Sequence, residues 1–311
     1  MVYFHLPVML EEAMQALDPQ PGGLFADGTL GGGGHSEEIL KRIGPEGRLY
    51  GIDRDRDAIE AASQRLVSYP GFTLLHGNFH DIKSLLGEDI KLDGGLLDLG
   101  VSSHQLDSEE RGFSYHDDAP LDMRMDRSQG MTAAAWLNSV DVQTFTRALY
   151  DYADEKWAAR IADVLLERRA IKPLRTTHDL VDIVDRAIPK KVRLRDEGHP
   201  ARRTFQAVRI AVNDEIGPLR QALFDWLDCL KPGGRLCVIT FHSIEDRVVK
   251  LAFREMQNPC ICPPKLPLCT CGRKRMAVAL PGGAIKPSAG EVARNPRARS
   301  AILRAVRKEG G

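Results

Sequence analysis

The chain has 311 residues, 28% of them charged and 43% hydrophobic, so it can bury a substantial core and has the composition of a globular protein, not of a disordered or fibrous one. No apolar run approaches the roughly 20 residues of a membrane span, and the first residues lack the basic-then-apolar order of a secretory signal, so we expect no membrane segment. The 43 basic and 43 acidic residues cancel, which excludes a uniformly basic protein but leaves room for a basic face.

The first informative segment is a run of glycines at 31–34, which follows a short apolar strand predicted over 23–26 and leads into a helix predicted over 37–43. Strand, glycine turn and helix form the arrangement in which a backbone closes tightly around a nucleotide-like ligand. Glycine suits this place because a Cβ atom would block both the turn and the ligand. A flexible surface turn is the alternative, and the elements that follow decide between the two.

A second predicted strand, 47–53, ends in Asp53, whose carboxylate could accept hydrogen bonds from both ribose hydroxyls of a nucleoside. NAD and S-adenosylmethionine both contain such a ribose. Asp27, at the end of the first strand, would repel a pyrophosphate but suits a cationic amino-acid moiety. The segment 229–241 predicts a helix end, a Pro-Gly-Gly turn and a strand, and is similar to the late turn of the class I methyltransferase fold. These features favour an S-adenosylmethionine-dependent methyltransferase over a dehydrogenase.

The alternation of strands and helices continues as far as Asp98. Strands are predicted over 72–76 and 92–99, and the second is apolar on both faces, as a central parallel strand should be. A helix is predicted over 57–66, between the second and third strands. This pattern predicts a doubly wound α/β sheet.

The pattern changes after residue 104, because strand signals become scarce as far as about residue 205. Amphipathic helices are predicted in this region over 136–137, 144–152, 157–169 and 177–187. We therefore expect a methyltransferase domain in two parts with a helical insertion domain between them, at 1–104, 206–311 and 105–205.

The elements after the insertion are predicted to return to the sheet. Helices are predicted over 204–214 and 219–230. The last strand, 301–306, alternates as an antiparallel edge strand would, and residues 282–290 are expected to be loop. The expected fold is a class I methyltransferase sheet, mostly parallel, with an antiparallel last strand and the helical insertion.

Three acids stand at the ends of predicted strands: Asp27, Asp53 and Asp98. Ligands of doubly wound sheets lie outside the carboxyl ends of the strands, so we expect the three acids to converge on one crevice. A helix N-cap at a strand–helix turn is the alternative role for each of them. A purely binding protein would not need the whole set.

If the methyl acceptor is an exocyclic amine of a base, its lone pair is delocalised into the ring. The reaction then needs an acceptor for the amine N–H and a methyl carbon placed in line with the nitrogen. Asp98, or a carbonyl in the turn after it, could serve as that acceptor. The base must also leave its stack, so an aromatic platform is expected. Candidates for the platform, each with a core position as the alternative, are Phe79, Phe113, Tyr115 and Phe241.

The charges are segregated along the chain. Residues 88–126 carry 11 acids and 3 bases, whereas 186–209 carry 8 bases and 2 acids and 265–308 carry 11 bases and 1 acid. A single run of this kind is usually a solvated surface, but two basic runs beside a predicted active site indicate a basic face for a polyanion.

Six cysteines in a chain without an export signal predict reduced thiols or a metal site, not a disulfide framework. Four of them form two Cys-x-Cys pairs, Cys260 with Cys262 and Cys269 with Cys271. Four thiolates can close a tetrahedral zinc site, although this spacing is tighter than the usual Cys-x-x-Cys pair. Such a zinc site would be structural and would clamp the basic segment 265–275. A reduced cysteine-rich loop, or adventitious oxidation, is the alternative.

Specific motifs stand in order along nearly the whole chain, at 5–10, 27–36, 97–107, 111–114, 120–126, 203–207, 241–247 and 295–300. Together they resemble the MraW/RsmH family. The resemblance implies a cytoplasmic bacterial methyltransferase that uses S-adenosylmethionine and methylates N4 of one cytidine in the decoding region of small-subunit (16S) ribosomal RNA. Its partner would be the free rRNA or the 30S subunit, and the oligomeric state stays open, a homodimer included.

The resemblance also implies a set of cofactor-binding residues: Gly33, Gly34, His35, Asp53 on the ribose, Phe79, Asp98 and Gln105. DNA amino-methyltransferases usually carry an Asp/Asn/Ser-Pro-Pro-aromatic motif after the fourth strand. This chain has Asp98-Leu99-Gly100-Val101 there, so no motif assigns the catalytic acceptor. Asp98 and His242 are the catalytic candidates.

Two other functions stay open at this stage. The protein could be a methyltransferase that acts on DNA or another RNA, in which case it would methylate those substrates. It could also be a non-catalytic, RNA-binding ribosome assembly factor that senses S-adenosylmethionine. Such a factor would bind ribosomal subunits and leave their rRNA unmethylated.

Overall fold

The computed structural model describes residues 7–87, 89–195, 198–263 and 268–310. These residues form two compact units. The sheet unit comprises the described residues of 1–100 and 216–311, and the helical unit comprises those of 101–215. None of the helices in the described ranges is long and apolar enough to cross a membrane.

The sheet unit is built on a seven-stranded sheet. Its strands are β1 (Leu24–Asp27), β2 (Arg48–Asp53), β3 (Phe72–His76), β4 (Leu92–Asp98), β5 (Leu230–Thr240), β6 (Ala277–Ile285) and β7 (Ile302–Lys308). The strand order is β3-β2-β1-β4-β5-β7-β6, in which β1 to β5 are parallel and β7 is antiparallel to both of its neighbours. A doubly wound, mostly parallel sheet with an antiparallel last strand is the class I methyltransferase architecture, so the predicted fold class is confirmed.

The edge of the sheet differs from the expectation. The sequence predicts β7 as the edge strand and a loop over 282–290, but β6 forms the edge and β7 lies between β5 and β6. Gly282 and Gly283 have positive φ angles, of 98° and 60°, and the register between β6 and β7 shifts between Ala279 and Ala284. Such an irregularity lets a strand continue through residues that otherwise signal a turn.

Helices that belong to the sheet unit cover both faces of the sheet. In chain order the helices of both units are α1 (Leu10–Leu17), α2 (Gly34–Ile43), α3 (Arg56–Leu66), α4 (Ile82–Leu86), α5 (Ser103–Asp107), α6 (Ala133–Ser139), α7 (Val142–Ala153), α8 (Ala158–Ile171), α9 (Thr177–Ala187), α10 (Lys190–Arg193), α11 (Arg202–Asn213), α12 (Leu219–Cys229), α13 (Ser243–Gln257) and α14 (Ala289–Arg294). One core lies between the sheet and α1, α2 and α3, and the other between the sheet and α4, α12 and α13. Burial of these apolar faces on both sides holds the strand ends in place.

Two adjacent glycines in β4 allow a large aromatic side chain of each core to pack directly against the backbone of the strand. A Cβ at Gly94 would lie 2.7 Å from the ring of Phe25, and one at Gly95 would lie 2.7 Å from the ring of Trp226 in the other core. Both rings are fully buried. A side chain at either glycine would displace a core aromatic beside the strand that ends at Asp98.

The helical unit has a core of its own, to which α6, α7, α8, α9 and α11 all contribute. The helices predicted over 144–152, 157–169 and 177–187 are present as α7, α8 and α9. The helix predicted over 204–214 is present as α11, but it packs on α7 in the helical unit and does not return to the sheet. Its buried residues Phe205 and Val208 complete this core, and an amphipathic pattern alone does not say which core a helix joins.

Candidate active site at the carboxyl edge of the sheet

The glycine loop between β1 and α2 is tight at its start and open in its middle. A Cβ at Gly28 would lie 2.5 Å from the Leu97 side chain and 2.9 Å from Phe79 Cβ, so only glycine fits there. Gly33 is the N-cap of α2 and has a φ of 76°, in the left-handed region that favours glycine. A Cβ at Gly32 would meet no atom of the described chain within 4 Å. Open space for a ligand therefore lies at Gly32 and the N-terminus of α2, while the N–H groups of Gly31 and Gly33 are hydrogen-bonded within the protein.

The first turn of α2 connects the loop to the segment before α1. A Cβ at Gly34 would lie 2.5 Å from Pro7 Cγ, so these two residues are in close contact. His35 is buried, and its Nε2 lies 3.0 Å from the Val8 carbonyl oxygen. Since a carbonyl only accepts, this nitrogen carries the proton. Burial lowers the pKa of His35 to about 4, so the ring is neutral at physiological pH.

Asp27 ends β1 beneath the glycine loop and is only 1% exposed. The Ser36 hydroxyl donates to its Oδ2 at 2.7 Å, and the Thr29 backbone N–H donates to its Oδ1 at 3.1 Å. Burial raises the pKa of Asp27 to about 6, even though these hydrogen bonds favour the carboxylate. The loop thus lies over a carboxyl group that can become negative where little water screens it.

Asp53 ends β2 and holds the loop from the other side. Its Oδ2 accepts a hydrogen bond from the Gly31 N–H at 2.8 Å, and its Oδ1 accepts one from the Asp55 N–H at 2.9 Å. Desolvation raises the pKa of Asp53 to about 6. Each carboxylate oxygen can accept a further hydrogen bond, so Asp53 can hold the loop and still receive hydroxyl groups of a ligand.

Asp98 ends β4, and its backbone N–H donates to Thr29 Oγ1 at 2.6 Å. Its Oδ2 lies 3.8 Å from His35 Nδ1, while its Oδ1 is buried and has no hydrogen-bond partner among the described residues. Burial, together with the neighbouring carboxylates of Asp27 and Glu245, holds the pKa of Asp98 well above its usual range. A buried carboxyl oxygen without a partner is costly in the free protein, which indicates a group that a ligand completes.

The turn from β5 into α13 brings His242 and Glu245 to the same edge. Glu245 is buried, and its Oε2 accepts a hydrogen bond from the Phe241 N–H at 3.0 Å. His242 is the N-cap of α13, and its Nδ1 accepts the Glu245 N–H at 3.3 Å. Its Nε2 lies 2.9 Å from Glu245 Oε1 but has no hydrogen-bond partner among the described residues.

Glu245 is a site residue that the sequence reasoning missed. It stands three residues after the N-cap, the position that a glutamate takes in a capping box, and this spacing was the available signal. Its second role, to raise the pKa of Asp98 across the strand ends, depends on tertiary structure. The carboxyl edge therefore holds one more buried acid than predicted.

Phe79 lies beside the glycine loop, as its contact distance to Gly28 indicates. Its carbonyl accepts a hydrogen bond from Trp226 Nε1 at 2.8 Å, which fixes its backbone. Gln105 belongs to the helical unit, where it is buried and forms a capping box with Ser102 at the start of α5. The predicted contacts of Phe79 and Gln105 with a cofactor stay predictions.

The other candidates for an aromatic platform differ in their surroundings. Phe113 is buried in the core of the helical unit, and a core position is the alternative to a role as an aromatic platform. Tyr115, in the same unit, stacks on His199 with ring centroids 4.6 Å apart and planes 18° apart. Phe241 is partly buried against a core of the sheet unit.

The two cysteine pairs lie between α13 and β6, and the structure brings them together. The Sγ atoms of Cys260, Cys262, Cys269 and Cys271 all lie within 4.8 Å of one another, and all four thiols are free. The basic segment predicted beside them begins at 265, and residues 264–267 lie outside the described part of the chain.

Comparison with known proteins decides the family. The sequence profile of the MraW methylase family matches residues 2–309. This chain belongs to the MraW methylase family. It is 51% identical to a ribosomal RNA small subunit methyltransferase H from Symbiobacterium thermophilum, over 99% of this chain and 98% of the relative. It is 49% identical to the protein of the same name from Heliobacterium modesticaldum, over 99% of both chains.

Among solved structures, this MraW-family chain is similar to an rRNA methylase from Streptococcus thermophilus, with a TM-score of 0.40 and 11% identity. The likeness covers 97% of this chain and 94% of the other. The family assignment rests on the sequence profile and on the relatives at about half identity.

In this MraW-family protein the carboxyl edge of the sheet is acidic, with Asp27 and Glu245 buried and Asp53 and Asp98 partly exposed. Burial raises the pKa of Asp27 and Asp53 to about 6 and that of Asp98 further still, so charging all of them costs free energy in the free protein. A cation placed among them would offset that cost, because opposite charges attract strongly where water is excluded. The arrangement is therefore suited to a cationic ligand with hydroxyl groups.

Proposed function

We propose that this protein transfers a methyl group from S-adenosylmethionine to N4 of one cytidine in the decoding region of small-subunit (16S) ribosomal RNA. The names of its relatives, which are ribosomal RNA small subunit methyltransferases, support the substrate class. The observation that carries the proposal is the Asp98 carboxyl beside the glycine loop, whose buried Oδ1 has no hydrogen-bond partner in the described ranges. Because ribosomal subunits are assembled in the cytoplasm, we expect the protein to act there.

The residues at the carboxyl edge fit S-adenosylmethionine. Its ammonium and sulfonium groups are cations, which match the carboxyls of Asp27, Asp98 and Glu245. Its ribose hydroxyls match Asp53, whose oxygens keep acceptor capacity. When bound, the cofactor supplies an electrophilic methyl carbon on the sulfonium. The glycine loop, with Gly33, Gly34 and His35 at the start of α2, would form the wall around it.

Asp98 is the residue best placed to accept a proton from the methyl acceptor. A carboxyl whose pKa is raised by burial takes up a proton more readily than an ordinary aspartate. A cation beside it favours its ionised form, so it is ready to accept the amine N–H when the site is filled. His242, which caps α13 and accepts the Glu245 N–H, would position that edge of the site.

Exposed basic side chains support the RNA substrate. In the helical unit Lys190, Lys191, Arg202 and Arg203 are exposed, and in the sheet unit Arg273, Lys274, Arg294 and Arg299 are exposed. Other members of the basic runs are paired within the protein, such as Arg304 with Asp246 at 2.7 Å. The exposed members can therefore contact phosphates, which supply most of the affinity for nucleic acid.

Mass mapping of modified nucleosides in small-subunit rRNA, from cells with and without this gene, tests the proposal. We expect N4-methylcytidine in the decoding region to disappear without the gene and to return with the wild-type gene, but not with Asp98→Asn. An unchanged level of N4-methylcytidine would overturn the proposal. Methylation of DNA or another RNA by the purified protein, or binding to subunits without methylation, would favour one of the alternative functions.

A further inference from the structure

The four cysteine sulfurs between α13 and β6 have the mutual distances of a tetrahedral metal site. Cys269 Sγ lies 3.6 Å from Cys260, 3.9 Å from Cys262 and 3.4 Å from Cys271. Cys271 Sγ lies 3.8 Å from Cys260 Sγ. Four sulfurs placed about 2.3 Å from a central Zn²⁺ in a tetrahedron are about 3.8 Å apart. The observed spacing therefore leaves room for one ion equidistant from all four.

The same distances argue against two disulfide bonds. A disulfide needs sulfurs about 2.05 Å apart, which would separate the cluster into two short pairs. Here Cys269 has comparable distances to three other sulfurs, so no pairing is preferred. The arrangement is that of ligands around a shared centre.

The segment that carries the cysteines has no hydrophobic core to hold it. None of the described residues from 258 to 275 is buried, and the apolar side chains of Ile261 and Leu268 are 66% and 78% exposed. Its base is closed by a hydrogen bond from the Met276 N–H to the Met256 carbonyl, 2.8 Å long. A segment of this kind cannot fix four side chains by apolar burial, so another source of order is required.

Backbone N–H groups are directed at the sulfurs. The Thr270 N–H donates to Cys262 Sγ at 3.4 Å. The N–H of Cys262 donates to the sulfur of Cys260, and the N–H groups of Arg273 and Ile261 donate to the sulfur of Cys271. Such contacts orient thiolate ligands and offset their charge. The exposed cations Arg273 and Lys274 are adjacent in sequence and of the sign that four thiolates around a divalent ion require.

We propose that Cys260, Cys262, Cys269 and Cys271 bind one Zn²⁺ in a closed structural site. On binding, each thiol releases its proton to solvent and becomes a thiolate ligand. With four protein ligands the ion has no open position for water or substrate, so the site orders its segment and takes no part in chemistry. This inference does not depend on methyl transfer or on the RNA substrate.

Metal analysis of the full-length protein, purified without chelator, tests the site. We expect about one Zn²⁺ per chain in the wild type and a loss of at least 90% of it in Cys260→Ser and in Cys271→Ser. The matched control is Cys229→Ala, which removes a buried cysteine outside the cluster and should keep its zinc. Addition of Co²⁺ to metal-free protein should give the absorption bands of a tetrahedral cobalt–thiolate centre in the wild type and the control alone.

A second measurement guards against a variant that simply misfolds. Limited proteolysis should cut between 258 and 275 at least tenfold faster in Cys260→Ser than in Cys229→Ala. The thermal unfolding transition of Cys260→Ser should stay within a few degrees of that of the wild type, because the described residues of this segment contribute nothing to a hydrophobic core. Absence of bound zinc together with no uptake of Co²⁺ would overturn the proposal. So would iron in place of zinc, or two disulfides in the protein purified under reducing conditions.

Discussion

At the scale of single residues, the carboxyl edge of the sheet holds acids whose ionisation lowers the stability of the free protein. Burial raises the pKa of Asp27 and Asp53 to about 6, so both are ionised near neutral pH only at a cost in free energy. His35 behaves in the opposite sense, because burial lowers its pKa to about 4. Its contribution to stability is present above its unfolded pKa and is lost as the pH falls toward 4. The aspartates lower the stability of the fold as the pH rises, whereas His35 lowers it as the pH falls. Each variant therefore has to be compared with the wild type at the same pH.

Asp27→Asn should reveal the cost of the buried charge. The folded pKa of Asp27, about 6, lies above its ordinary value of 3.8, so its contribution to stability is present below pH 3.8 and is lost as the pH rises through 6. Two pKa units correspond to about 3 kcal/mol, from which about 1 kcal/mol is subtracted because an amide cannot accept both hydrogen bonds. We expect the variant to be about 2 kcal/mol more stable than the wild type at pH 8.

Urea unfolding of the two proteins without ligand at pH 8 and at pH 4.5 checks this expectation. The gain should vanish or reverse at the lower pH, where the wild-type carboxyl is protonated. The same difference in the free energy of unfolding at both pH values would contradict the assignment of a buried, ionisable Asp27.

His242→Asn separates the capping role of this histidine from its role in the site. Asparagine is among the best N-cap residues, so the free energy of unfolding should stay within about 1 kcal/mol of the wild type. The variant removes the 2.9 Å approach of His242 Nε2 to Glu245. We expect kcat to fall at least tenfold with little change in KM for the cofactor, measured by transfer of a labelled methyl group to 30S subunits. Full activity in this variant would assign His242 to the cap alone.

At the scale of elements, two glycines of the loop between β1 and α2 allow the effect of backbone strain on stability to be measured apart from the effect of a side chain on ligand binding. Gly33 has a φ of 76°, and a Cβ there would lie 3.2 Å from Leu66, so Gly33→Ala should cost about 1–2 kcal/mol of stability. Gly32 has a φ outside the left-handed region and open space around its Cβ position. Gly32→Ala should therefore leave stability within about 0.5 kcal/mol of the wild type.

Binding of S-adenosylmethionine to the same two variants, measured by calorimetry, completes the comparison. If the loop surrounds the cofactor, Gly32→Ala should weaken binding about tenfold or more, because its methyl group enters the ligand's space. Wild-type affinity in both Gly32→Ala and Gly33→Ala would contradict a cofactor site at this loop.

The sequence predicts elements well where a local pattern determines them. β1 to β4 and α7 to α9 follow from apolar runs and helical spacing, and Asp53 and Gly33 follow from their places at a strand end and in a glycine turn. β6 is not predictable in this way, because its Gly282 and Gly283 signal a turn until the partner strand supplies a bulge. The core that α11 joins, the role of Glu245 beside Asp98 and the distances among the cysteine sulfurs all depend on residues far apart in sequence.

At the scale of the whole molecule, a net charge of zero conceals segregated charge. Exposed cations are dense in the two basic runs, while Asp27, Asp53, Asp98 and Glu245 gather at the carboxyl edge of the sheet. A polyanion would be attracted to the exposed cations, and a cationic cofactor to the acids of this edge. Segregation of this kind lets one chain bind two ligands of opposite charge.

Salt dependence of RNA binding tests the role of the basic runs. Affinity for 30S subunits should fall steeply with salt, and a variant that neutralises one phosphate fewer should show a slope of log K against log salt that is smaller by about 0.7. We expect such a reduction in Arg202→Ala and in Arg203→Ala. Arg160→Ala, an exposed residue of the helical unit outside both runs, is the matched control. A flat dependence in the wild type would mean that these cations do not bind phosphate.

The central claim concerns where the methyl group goes. The most direct measurement incubates purified protein and isotopically labelled S-adenosylmethionine with 30S subunits from cells that lack the gene, and then maps the label in the rRNA by mass spectrometry. We expect about one methyl group per subunit, on N4 of a single cytidine in the decoding region, and none with Asp98→Asn. Label on another atom or another nucleotide, or no label on subunits that bind both the protein and the cofactor, would contradict the claim.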